Sequence, residues 1–260
     1  MKSMEVIGIQ FNIAWEDKRA NFEKVQALLE PVDIAPGSLI VLPEMFATGF
    51  SMNVAGIFED EAGETFAFLR DLARRYRSCA VGGVVTRGPD GRGRNEAVVI
   101  DPGGILHARY RKMHPFSLAG EHRHYEPGQD VVTFAWGEFT TAPFICYDLR
   151  FPEVFRRAVR RGADLCVVIA CWPAKREAHW TALLRARAIE NQAWVIGINR
   201  CGSDPGHTYS GRSLIVDPRG EVIADAGNGE GILQAEADHA FVKKYRQELP
   251  FLADARVDCL

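Results

Sequence analysis

Short aliphatic runs alternating with amphipathic stretches set the rhythm of this chain. Residues 4–10 (MEVIGIQ) and 38–42 (SLIVL) are apolar almost throughout, the pattern of strands buried on both faces. Between them, residues 19–29 place Phe22, Val25, Leu28 and Leu29 on one side of a helix that Pro31 ends. Residues 64–76 repeat that helical spacing with Phe66, Leu69, Leu72, Ala73 and Tyr76. Strands are predicted at 80–86, 97–101 and 105–109, the last two joined through Pro102-Gly103-Gly104 as a hairpin.

The second half continues in the same way. A strand at 140–146 leads into a helix at 152–161, with Pro152 in the first turn where a missing N–H costs nothing. A strand at 165–170 is followed by a helix at 179–191, then strands at 193–199, 213–217, 222–226 and 232–235. No internal repeat, low-complexity tract or linker interrupts the series, so one domain over 1–260 is expected. Hairpins mixed with helical crossovers predict an α/β fold with helices outside a largely buried sheet system. Periodicity does not decide between one sheet and two.

Composition narrows the partners. Hydrophobic residues make up 47% and charged residues 25%, an ordinary globular profile. A net charge of -3 gives no basic excess for nucleic acid, and the run RRAVRR (156–161) has the spacing of one solvated helix face. No apolar stretch reaches the ~18 residues of a membrane span, and the N-terminus lacks the pattern of a secretion signal. The six cysteines, Cys79, Cys146, Cys166, Cys171, Cys201 and Cys259, include no CxxC pair. Reduced thiols and a cytoplasmic location are therefore expected.

Candidate chemistry collects where three strands stop. LIVLPE ends at Glu44, ILHARYRK at Lys112 and FTTAPFIC at Cys146. Loops beyond the carboxyl ends of strands are where such folds gather reactive groups. A carboxylate, an ammonium and a thiol together suit covalent attack on an amide. The thiol needs a base, the departing amine needs a proton, and the tetrahedral oxyanion needs donors such as Lys112 and the backbone N–H of Tyr147. Taken singly, Glu44 reads equally as a turn cap, Lys112 as a surface charge and a strand cysteine as a small core residue.

The wording around these residues adds to the reading. LPEMFATGF, YRKMHPF and CYDLRFPE resemble the three signature blocks of the nitrilase (carbon–nitrogen hydrolase) superfamily, in that order. The likeness continues through GADLCVVIACWP, HWTALLRARAIENQAWVIGINRCG and SGRSLIVDPRGEVIA. The resemblance implies Glu44, Lys112 and Cys146 as catalytic triad, and a four-layer α-β-β-α sandwich, usually paired into homodimers. AGEHRHYEPG matches a further family block and implies Glu121 as a residue that positions substrate or shares a proton.

CYDLRFPE and ACWPAKREAHW are similar to the omega-amidase branch, which implies hydrolysis of the terminal amide of alpha-keto acids such as 2-oxoglutaramate and 2-oxosuccinamate. Such an enzyme must hold a carboxylate with a fixed cation. Arg150, Lys175 and Arg176 are the candidates, with Arg150 open to an alternative pairing with Asp148 or Glu153. Related omega-amidases often carry Asn where this chain has Cys171, and Cys171 and Trp172 are expected in the pocket wall.

Water and an amide suffice for this reaction, so neither cofactor nor metal is expected. A metal hydrolase is the first rival, through His122 and His124 with Glu121 or Glu126. The others are a deaminated-glutathione-type, N-carbamoyl amine or aliphatic amidase, and a non-catalytic binding subunit of the same fold.

Overall fold

The computed structural model describes residues 3–256; Cys259 lies outside them. The first half of the chain runs β1 (Met4–Gln10), α1 (Lys18–Leu29), β2 (Leu39–Val41), α2 (Val54–Ile57), α3 (Glu64–Tyr76), β3 (Cys79–Arg87), β4 (Gly93–Ile100) and β5 (Leu106–Arg111). The second half runs α4 (Glu121–His124), β6 (Phe134–Trp136), β7 (Phe139–Ile145), α5 (Pro152–Arg160), β8 (Leu165–Ala170), α6 (Glu177–Asn191) and β9 (Trp194–Asn199). It ends with β10 (Cys201–Ser203), β11 (Thr208–Ser210), β12 (Leu214–Val216), β13 (Val222–Asp225), β14 (Gly231–Ala237) and α7 (His239–Glu248).

Two six-stranded sheets result, ordered β14-β1-β2-β3-β4-β5 and β13-β12-β9-β8-β7-β6. Alternation along the strands of the first sheet divides its side chains between two neighbours. Val6, Val41, Val81 and Val99 join a core with the second sheet. Ile7, Ile40, Ala80 and Ile100 join another with Val25 of α1 and Leu69 of α3. On the far side, Phe155 of α5 and Leu184 of α6 pack against the second sheet. The layers are therefore helix, sheet, sheet, helix, with each fully buried aliphatic side chain contributing roughly 1.5–3 kcal/mol. That both β1 and β8 are buried at nearly every position explains their unbroken apolar sequence.

Strand directions bring the candidate residues to one edge system. β1, β2 and β3 run parallel, as do β7, β8 and β9. Glu44 follows β2, Lys112 follows β5 and Cys146 follows β7. The strand expected to include Cys146 stops at Ile145, and Cys146 opens a 3-10 turn, Cys146–Arg150. Among the described residues, no helix is long and apolar enough to cross a membrane. Cys79, Cys146, Cys166, Cys171 and Cys201 are all buried free thiols.

Candidate active site

Glu44 leaves β2 through Leu42 and Pro43 and is completely buried. Its backbone passes directly over Gly83 of β3, where a Cβ would lie 2.3 Å from Met45 N and 2.6 Å from Glu44 Cα. Only glycine admits that approach. One carboxylate oxygen, Oε1, accepts from Lys112 Nζ at 2.8 Å and Asn95 Nδ2 at 2.7 Å. The other, Oε2, accepts from the backbone N–H of Cys171 at 2.8 Å.

Lys112 extends the β5 edge, its N–H donating to Asn95 O at 2.9 Å. Its ammonium is buried and reaches Glu121 as well as Glu44, at 3.1 Å to Oε1 and 2.9 Å to Oε2. Burial alone would lower the Lys112 pKa, but the adjoining Glu121 and Glu44 carboxylates outweigh it and hold the ammonium charged, well above its ordinary value. Glu121, in α4, is fully buried too and takes further bonds from Asn95 Nδ2 at 2.9 Å and Phe116 N at 2.5 Å. Burial pushes its pKa up, the Lys112 charge opposes that, and the Glu44 charge adds to it. Glu121 therefore holds its proton more tightly than an exposed carboxyl does.

Cys146 takes the left-handed backbone conformation, with φ at 47°. An L-residue there pays roughly 1–2 kcal/mol, which the surrounding sheet and 3-10 turn must hold in place. The thiol is nearly buried, and its pKa is raised well above the usual value by burial first and then by the Glu44 charge, while Lys112 pulls it down. At rest the group is a thiol. Tyr147 follows in the first residues of the turn, where leading N–H groups have no intrahelical acceptor.

Cys146 and Lys112 both line one pocket. Phe50 and Phe116 form one part of its wall, Cys171, Trp172 and Tyr209 another. Lys112 Nζ lies 5.1 Å from the Phe50 ring centre, a cation–π contact. Glu44 and Glu121 are not in the lining; they stand behind Lys112. Cys171 touches Glu44 twice, since its Sγ also donates to Glu44 O at 3.2 Å.

Arg150 and Arg176 line the same pocket, while Lys175 is exposed and outside the lining. Trp172 organises both arginines. The Arg150 guanidinium lies 4.7 Å from the centre of its ring, and its indole Nε1 donates to Arg176 O at 2.8 Å. The alternative partners of Arg150 are not used: Asp148 accepts from Tyr110, His114 and Ile145 instead. Among the described residues neither arginine has a carboxylate partner, and no Asp or Glu lines the pocket. Burial, then the like charge of Arg176, lowers the Arg150 pKa.

The rival metal cluster does not assemble. Glu121 is committed to Lys112 and Asn95, and Glu126 pairs with Arg94 and Arg111, while His122 and His124 are exposed. Among the described residues no three His, Cys, Asp or Glu side chains are grouped to hold a metal ion. The sequence reading overlooked Asn95, Phe50, Phe116, His207 and Tyr209. Asparagine is disfavoured inside strands, so Asn95 in GRNEAVVI was the one of these with a usable signal.

The family model for carbon-nitrogen hydrolases matches residues 8–247. The omega-amidase YafV of Yersinia enterocolitica is 40% identical, with 98% of this chain and 97% of the relative covered. The 2-oxoglutaramate amidase of Bacillus subtilis is 33% identical, with 96% of each covered. Among solved structures, a CN-hydrolase superfamily protein of Xanthomonas campestris, with an arsenic adduct in its active site, superposes with a TM-score of 0.92 at 32% identity, covering 98% of each chain. Nit3 of Saccharomyces cerevisiae, from the nitrilase superfamily, gives 0.84 at 28% identity, covering 96% of this chain and 95% of its own.

Proposed function

Because this chain belongs to the carbon-nitrogen hydrolase family, we propose that it is an omega-amidase, releasing ammonia from the terminal amide of alpha-keto acids such as 2-oxoglutaramate through a Cys146 thioester. The observation that carries this reading is the pocket's charge. Its chemistry-bearing thiol and ammonium share a cavity with two arginines that have no acidic partner among the described residues, which suits a small amide with a carboxylate at its far end.

The geometry supports the following course. Substrate enters with its carboxylate against Arg150 and Arg176 and its amide over Cys146. Glu44 takes the thiol proton as sulfur attacks the carbonyl carbon. The oxyanion that forms is held by the Lys112 ammonium and the Tyr147 N–H. Losing one such donor typically costs about 3 kcal/mol of transition-state stabilisation. Glu44 returns its proton to the nitrogen, ammonia departs, and a thioester remains. Water, deprotonated by Glu44, then attacks the thioester, and the proton passes back to sulfur as the acid leaves.

Glu121 keeps the Lys112 ammonium aimed into the pocket and shares the excess negative charge with Glu44. The same reading takes the enzyme as a cytoplasmic homodimer needing neither cofactor nor metal.

The test is ammonia release by the purified protein, without added metal, from 2-oxoglutaramate, glutamine, a simple aliphatic amide, a nitrile and an N-carbamoyl amine. Turnover of the keto-acid amide, lost in Cys146→Ala, is expected. Turnover of another compound alone would replace the substrate but keep the mechanism. Silence across the series, with Cys146 inert to alkylation, would overturn the enzyme reading.

A further inference from the structure

Asp148 is completely buried, yet it touches neither the pocket nor any cation that would neutralise it fully. Its two oxygens are nonetheless saturated. Oδ1 accepts from the backbone N–H of His114 at 2.9 Å and is 2.8 Å from His114 Nδ1. Oδ2 accepts from the Tyr110 hydroxyl at 2.8 Å and from the Ile145 N–H at 3.1 Å. Four partners fill the acceptor capacity of a carboxylate.

The identity of those partners is informative. Tyr110 and His114 stand two residues before and two residues after Lys112. Ile145 immediately precedes Cys146, and Asp148 lies in the turn that Cys146 opens. Lys112 follows β5 of the first sheet and Cys146 follows β7 of the second. One carboxylate thus ties both flanks of the lysine to the backbone of the thiol, across two sheets that share no ladder. Rings on either side stiffen the tie: His114 stacks on Phe151 with centroids 3.8 Å apart, and Tyr110 meets Phe144 edge-on at 5.8 Å.

We propose that Asp148 is a positioning residue that sets the Lys112 ammonium against the Cys146 sulfur, acting through Tyr110, His114 and Ile145 rather than on substrate. The proposal rests on the roles assigned above to Lys112 and Cys146. Hydrogen bonds from two points straddling Lys112 fix both the height and the tilt of its segment, which one bond could not. Catalysis of this kind is sensitive to small displacements, a shift near 1 Å costing on the order of 100-fold.

The experiment compares wild type with Asp148→Ala, Tyr110→Phe and His114→Phe. The last two keep a ring in place and remove one donor each. Three quantities are measured: kcat and KM for 2-oxoglutaramate, the pH dependence of Cys146 alkylation by iodoacetamide, and Tm. Expected are a fall in kcat on the order of 100-fold for Asp148→Ala with KM changed only a few-fold, and smaller falls for the two ring variants. The alkylation profile should move to higher pH in all three, as the Lys112 charge that favours the thiolate drifts from the sulfur. Should Asp148→Ala fail to fold, the ring variants decide the question by the same readings. Unmoved alkylation profiles, or losses of activity that only follow Tm, would overturn the proposal. Alkylation needs no substrate, so a wild type silent toward 2-oxoglutaramate would count against the omega-amidase reading and leave this one standing on its own data.

Discussion

Glu44 and Glu121 accept hydrogen bonds from the same two donors, Lys112 Nζ and Asn95 Nδ2. The amide of Asn95 is therefore a neutral bridge between two buried acids, and its own Oδ1 has no partner among the described residues. In Asn95→Ala both carboxylates lose a donor and repel one another across a dry gap. Stability should fall by about 1–3 kcal/mol, read from denaturant unfolding, and kcat should fall at least tenfold. An Asn95→Ala enzyme with wild-type kcat would show that Lys112 alone organises the pair.

The Cys146 thiol gives a signed test of its surroundings. Burial and the Glu44 charge raise its pKa, and the Lys112 charge lowers it. Half-maximal alkylation should lie above pH 9.0 in the native protein, the ordinary value of the thiol. Glu44→Gln removes a neighbouring negative charge and should move the midpoint down; Lys112→Met removes a positive one and should move it up. A Glu44→Gln midpoint that stays put would place Glu44 too far from sulfur to serve as its base.

Arg150 and Arg176 should reveal the substrate carboxylate. A hydrogen bond to a charged group contributes roughly 1.5–3 kcal/mol, so either arginine changed to Met should raise KM for 2-oxoglutaramate by about 10–100-fold. Lys175→Met, outside the pocket, should leave KM unchanged. A simple aliphatic amide supplies the control, because it has no carboxylate to lose. Equal effects on both substrates would move the role of the arginines from recognition to support of the wall.

Gly83 lies under the segment that carries Glu44, and its missing side chain is what lets Glu44 and Met45 cross β3. A methyl group there meets backbone, which cannot swing aside. Gly83→Ala should cost about 1–3 kcal/mol and lower Tm by roughly 2–12 °C. Activity should suffer beyond that, since Glu44 itself must shift. Thermal unfolding together with kcat on the folded fraction measures both; an active, stable Gly83→Ala protein would contradict the contact.

Much of the frame was legible in the chain because its signals were strong. β1 at Met4–Gln10, α3 at Glu64–Tyr76 and β8 at Leu165–Ala170 fall where periodicity put them, each being a solid apolar run or a clean stripe. The misses have physical reasons. α7 buries only His239 and Val242, too little for a visible stripe, and β10 and β11 are three residues each with polar members. The pairing of strands into two sheets depends on long-range contacts that no local window contains. The site divides similarly: the strand-end positions of Glu44, Lys112 and Cys146 follow from pattern and motif, whereas the Asn95 bridge and the choice of Arg150 and Arg176 over Lys175 depend on distances between segments far apart in sequence.

The unbalanced charge of the pocket also governs traffic through it. Lys112 is balanced by Glu44 and Glu121 behind it, but among the described residues no acid faces Arg150 and Arg176 in the cleft, so the two arginines focus their field on incoming anions and capture should be fast in dilute buffer and slow as ionic strength rises. Hydrolysis then turns a monoanion into a dianion inside that field. On the proposed omega-amidase reading the product is gripped harder than the reactant was, so its departure should set turnover at saturation, which a pre-steady-state burst of ammonia would reveal and a linear onset would refute.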